Sequence, residues 1–98
     1  MQRIFAVISL RSSAWNSGSP LEGQVDWDAH AAFMDGLHAE GFVRLAGPLE
    51  GTPNVLVIVR AETAEEIRSR FSADPWMRKD LLRISSVAPW TIRIGALE

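Results

Sequence analysis

Val55-Leu56-Val57-Ile58-Val59-Arg60, followed at once by Ala61-Glu62-Thr63-Ala64-Glu65-Glu66, is the stretch on which the fold turns. Its first half is a short, almost unbroken apolar run rich in β-branched residues, which predicts a strand over 55–60. Its second half holds a capping box. Thr63 and Glu66 can satisfy each other's orphan amides, so a helix opens there, and Ala64, Ile67 and Phe71 continue with helical spacing. The strand is apolar on both faces. A sheet covered by helices on one side only should alternate, so something besides those helices must cover its other side.

Downstream, Asp74-Pro75 stops the helix and can restart one short turn, because proline is comfortable at the first helical position. Leu82 to Ile94 then alternates, with Leu82, Ile84, Ala88, Trp90, Ile92 and Ile94 expected on one face. Pro89 cannot donate to a ladder, so this strand belongs at a sheet edge or carries a bulge.

Upstream, Ile4 to Arg11 alternates and reads as a first strand, with Phe5 and Val7 opposite Ile4, Ala6 and Ile8. Ser12 to Gln24 holds serines, glycines and Pro20 and reads as an exposed loop. At about 13 residues it exceeds the usual connection, and such loops tend to be mobile or functional. A helix is expected from Asp26 to Glu40, with Asp26 as N-cap, Asp28 in the first turn and Gly41 placed to end it. Trp27, His30, Ala31, Met34, Leu37 and His38 form one stripe, with Asp28 and Asp35 opposite. Phe42 to Ala46 is a short second strand ended by Gly47-Pro48, and Leu49 to Asn54 is a turn region.

The order strand, helix, strand, strand, helix, strand is the βαββαβ pattern of a ferredoxin-like α+β domain. Right-handed crossovers put the first and third strands in the middle of a four-stranded antiparallel sheet, with two main helices on one face. The economical cover for the second face is a copy of the same sheet in a symmetric homodimer.

The bulk numbers agree. Ninety-eight residues, 47% hydrophobic and 22% charged, make one globular domain over 1–98. A formal charge of −2 argues against nucleic acid as partner. An RNA-binding module of this strand order would show stacking aromatics on its central strand, and Val55 to Val59 has none. There is no cysteine, so disulfide and thiolate chemistry are excluded. The first stretch is too short and polar for a signal peptide or membrane span, so a cytoplasmic protein without membrane contact is expected.

His30-Ala31-Ala32-Phe33-Met34 through Glu40-Gly41-Phe42, then Ala46-Gly47-Pro48-Leu49, an apolar strand, a Glu-rich helix, Asp74-Pro75-Trp76 and the closing Val87-Ala88-Pro89-Trp90 resemble the YCII-related family. The resemblance spans nearly the whole chain and rests on the order and spacing of these motifs together. It implies a ferredoxin-like fold of the dimeric α/β-barrel group and an active site built on one histidine and one aspartate, which match His30 and Asp74. Many family members carry an arginine shortly before the histidine. Here Val25, Asp26, Trp27 and Asp28 stand there, so an anion-binding arginine does not transfer. Some relatives are thought to eliminate halide from chlorinated aromatic intermediates, and others in the wider group isomerise lactones or oxygenate quinols. All of these require proton abstraction from an activated carbon or hydroxyl.

The chemistry fits the residue types. A carboxylate accepting from one ring nitrogen fixes the tautomer and leaves the other nitrogen as a general base, with no metal or organic cofactor required. Plainer roles stand beside this one. His30 could close the core edge, and Asp74 before proline is an excellent N-cap. The two roles of Asp74 are compatible, since a carboxylate has about four acceptor sites. His38 lies about 12 Å along the helix from His30, too far to share a metal, and is expected to be structural. Trp15, Trp27 and Trp76 could wall a pocket for a flat ligand, whereas Trp90 suits packing better. Gly47-Pro48 could bring backbone amides near a ligand or simply form a turn, and Arg78 could meet an anionic substrate or stay in solvent.

Two functions are compatible with these residues. One is a cofactor-independent lyase or isomerase acting on a small ring-containing molecule, anions included, with the 12–24 loop as lid. The other is a non-catalytic dimeric small-molecule binder or accessory protein.

Overall fold

The computed structural model of the chain describes residues 1–97. In chain order it comprises β1 (Arg3–Arg11), a 3-10 turn (Leu21–Gly23), α1 (Trp27–Ala39), β2 (Val43–Pro48), β3 (Asn54–Ala61), α2 (Ala64–Phe71), the single-turn helix α3 (Pro75–Arg78) and β4 (Leu82–Pro89). The strands form one antiparallel sheet in the order β2-β3-β1-β4, so β1 and β3 are central. This is the expected ferredoxin-like α+β arrangement.

Alternation sorts the central strands. Phe5 lies opposite Val59 and Val7 opposite Val57 on the face beneath the helices, where all four are buried. Leu37 of α1 and Ile67 and Phe71 of α2 pack onto them, joined by Phe42 and Val43. Ile4, Ala6 and Ile8 alternate to the second face, opposite Arg60, Ile58 and Leu56.

Local signals set the boundaries. The Thr63 hydroxyl accepts from the Glu66 amide at 3.1 Å, and Glu66 Oε1 accepts from the Glu62 amide at 2.9 Å, which starts α2. Gly41, at φ +85°, ends α1. There the Phe42 amide donates to the Leu37 carbonyl and the Gly41 amide to the His38 carbonyl, a Schellman pairing that needs a left-handed residue at Gly41.

Three expectations are corrected. Asp26 occupies the N-cap position of α1, but at φ 59° and with no capping hydrogen bond; its carboxylate pairs with Lys79 instead. Gly47 and Pro48 are the last residues of β2 and not the turn that ends it. The strand from Leu82 stops at Pro89. Its partner register passes from Ile8↔Ser86 to Ser9↔Ile84, skipping Ser85. That bulge reverses the alternation, so Ile84 and Val87 face the core, not Ile84 and Ala88. Pro89 sits where its missing donor costs least, at the end of an edge strand. No helix among the described residues is long and apolar enough to cross a membrane.

Candidate active site

Asp74 lies in the link between α2 and α3, 1% exposed. It caps α3, its Oδ1 accepting from the Trp76 amide at 3.0 Å, while Pro75 fills the first helical position. One amide does not compensate a buried carboxylate. His30 completes the shell. Its Nδ1 lies 2.8 Å from Asp74 Oδ1 and 3.0 Å from Oδ2. An ionised carboxylate can only accept, so opposite an ionised Asp74 the shared proton belongs to Nδ1, and the neutral form of the ring then carries its lone pair on Nε2. The cap and the histidine partner are therefore one side chain.

Trp76 fixes the ring from a second direction. Its indole lies flat on the imidazole, with centroids 3.7 Å apart and planes 7° apart. Trp76 is itself held by its Nε1–H, which donates to the Val25 carbonyl at 2.7 Å. Trp15 meets it edge-on at 5.2 Å and Trp27 at 5.8 Å, so three of the four tryptophans gather around His30. Trp90, 46% exposed, is not among them.

These residues wall a cavity of about 350 Å³ between the helices and the sheet. Trp15, Trp27, His30, Asp74, Trp76 and Met77 form one side, and Ser9, Val55 and Val57 form the sheet floor. Ala46, Gly47 and Pro48 of the edge strand line it too. Asp35, Ala46 and Pro48 are the exposed lining residues and mark its mouth, between α1 and β2. Asp35 is thus not on a face turned away from the histidine stripe.

The lining is apolar apart from Ser9, His30, Asp35 and Asp74, and it contains no lysine or arginine. Arg78 stays outside. Two residues along a helix is roughly 200° of turn, so Arg78 points away from the side that buries Trp76. Lys79 is taken up by Asp26. His38 has the structural role expected of it, with Nδ1 2.9 Å from the Val43 carbonyl. Among the described residues no three His, Cys, Asp or Glu side chains cluster as a metal site would require.

The 12–24 loop forms a fixed wall. Gln24, 5% exposed, donates to the carbonyls of Asn16, Ser19 and Pro20, and accepts from the Asn16 amide at 2.9 Å. Asp80 receives the Ser12 and Ser13 hydroxyls, and the Ser12 amide donates to the Leu81 carbonyl. Sequence reasoning missed Gln24, Ser9 and Asp35. Ser9 alone left a trace there, as a hydroxyl on the apolar face of β1 shared by Phe5 and Val7.

The YCII-related domain model matches residues 22–91. The chain belongs to the YCII-related family. No curated protein matches its sequence. Among solved structures, this YCII-related chain is similar to 5-chloro-2-hydroxyhydroquinone dehydrochlorinase from Burkholderia phenoliruptrix AC1100, solved in complex with 2,5-dihydroxybenzoquinone. The TM-score is 0.58 at 21% identity, over 89% of this chain and 93% of that one. At that identity the likeness is one of fold.

Proposed function

We propose that this YCII-related protein is a cofactor-independent enzyme of the lyase or isomerase type, with His30 as general base and Asp74 as its orienter. The observation that carries the reading is the two-oxygen hold of Asp74 on His30 Nδ1 at the wall of an aromatic cavity. Such a hold presents Nε2 as a lone pair, pre-aimed and unable to swing away. It removes a proton from an acidic hydroxyl or activated carbon of a flat ring lying among Trp15, Trp27 and Trp76. Where a leaving group stands on a saturated carbon of the ring's keto tautomer, the released electron pair passes through the conjugated ring to form a carbon–carbon double bond at that carbon, the leaving group departs as its anion, and His30 keeps the proton. The solved neighbour is a dehydrochlorinase acting on a hydroxylated, chlorinated ring, and its fold supports a reaction of this kind here.

The lining also bears on substrate charge. Asp35 and Asp74 are carboxylates and no cationic side chain offsets them, so the substrate is a neutral ring and not the anion considered from sequence. The test is chloride release from 5-chloro-2-hydroxyhydroquinone and related halogenated hydroxy-rings. His30→Ala is expected to lower turnover by about 10²–10⁴-fold with the fold intact. Undiminished turnover in that variant would overturn the reading. Saturable binding of the whole set without turnover would instead favour a non-catalytic small-molecule binder.

The protein acts as a homodimer through its sheet. All three helices pack on one face, and the other carries Ile4, Ala6, Ile8 and Leu56, all half-buried, around a buried Ile58 on its two central strands. A second copy supplies an equally apolar partner of the same shape. Sedimentation should give a dimer for the wild type and a folded monomer for Ile8→Asp.

A further inference from the structure

Among the described residues three polar side chains are buried: Ser9, Gln24 and Asp74. Two are fully engaged. Gln24 knits the 12–24 loop, and Asp74 holds both His30 and the start of α3. Ser9 differs. It is 2% exposed, sits on the cavity floor with Val55 and Val57, and its hydroxyl takes part in no side-chain hydrogen bond among the described residues. The hydroxyl is not sealed in, for among the described residues Arg11 Nε is the buried side-chain polar atom left without a partner; the Ser9 oxygen instead opens onto the cavity it lines, where alanine would pack equally well. The backbone is irregular at the same point. The register of β1 against β4 shifts between Ile8 and Ser9, so the Ser85 bulge lies beside this residue. Bulges of this kind recur beside active sites, where they re-aim a side chain.

We propose that the Ser9 hydroxyl is a second ligand-binding group of the cavity, hydrogen-bonded to an oxygen substituent of the ring whose acidic group faces His30. The inference rests on reading the cavity as the functional site, and it narrows the ligand class. The ring carries at least two oxygen functions, one for His30 on the helix wall and one for Ser9 on the sheet floor. Between the two polar ends the walls are tryptophan and aliphatic, which matches a flat, neutral, polyhydroxylated or hydroxy-carbonyl ring. Ser9 then discriminates by hydrogen bonding, which rejects a ligand lacking the second oxygen more sharply than an apolar wall can.

The experiment titrates phenol and the three benzenediols into the protein without oxygen, following the His30 and tryptophan indole signals by NMR. Wild type should bind at least one benzenediol roughly fivefold more tightly than phenol, the worth of one neutral hydrogen bond. Ser9→Ala should erase that preference, leave phenol affinity unchanged and melt no lower than wild type. A preference that survives in Ser9→Ala overturns the proposal, as does a wild type that binds phenol with no preference; both leave the cavity's role intact. A lowered melting temperature with equal losses for every probe also overturns it, because Ser9 would then be structural. If no probe moves the His30 or tryptophan signals of the wild type, the reading of the cavity fails and the Ser9 inference falls with it.

Discussion

The space beneath the helices is filled at one end and hollow at the other. At the filled end Phe5, Val7, Val59, Ala61, Ile67 and Phe71 meet in one apolar cluster. At the hollow end β1 and β3 run on to Ser9 and Val55, the helix layer is α1 and α3, and Trp15, Trp27 and Trp76 stand around a cavity. The buried polar side chains among the described residues, Ser9, Gln24 and Asp74, belong to that end or to the loop that walls it. A domain this small has little apolar area to spare, so leaving one end hollow and polar concentrates stability in the other. The filled end holds the fold, and the hollow end holds the candidate site.

Substitutions should separate the two ends. Ile67→Ala removes a fully buried side chain from the filled end and should cost about 3 kcal/mol in urea unfolding. If it cost no more than a surface change, the filled end would not be the stabilising one. Asp74→Ala, at the hollow end, should cost about 2 kcal/mol through the lost cap and the orphaned histidine, and should abolish turnover and ordered ligand binding together. Gln24→Ala should cost about 1 kcal/mol and act locally, accelerating amide exchange across residues 12–24 while the sheet core stays protected.

The smallest expected effect is on acid stability. Hydrogen bonds from Ser13 and then Ser12 hold the exposed Asp80 carboxyl below its usual value of 3.8. A depressed carboxyl stabilises the fold above that value and loses its contribution as pH falls through the folded one. Asp80→Asn, which keeps a residue tolerant of the left-handed φ of 63°, should therefore melt slightly below wild type at about pH 6. The gap should narrow as pH falls below 3.8 and close once pH is below the folded value.

The filled end was largely legible in the sequence. The apolar run of Val55 to Val59, the Thr63 cap and Gly41 each encode their structure within a few residues and appear where expected, although the Glu66 carboxylate takes the Glu62 amide and not that of Thr63. The hollow end was legible only through the Asp74-Pro75-Trp76 motif and the spacing of His30. That Asp74 both caps α3 and holds His30 depends on two residues 44 apart in the chain, which no local pattern specifies. Asp26 failed as a cap because Lys79, also distant in sequence, pairs with its carboxylate. Pro89 suggested an edge strand or a bulge at that residue; the strand is at the edge and its bulge falls at Ser85 instead, a position defined only by the register against β1.

The central claim is that Asp74 holds His30 with a bare Nε2 aimed at a ligand. Nitrogen-15 NMR of His30 tests it directly, with and without phenol, in wild type and Asp74→Asn. The account predicts the Nδ1–H tautomer in the wild type, an Nε2 resonance that moves when phenol is added, and loss of both features in Asp74→Asn. An Nε2–H tautomer in the wild type, or a spectrum identical in the two proteins, would contradict it.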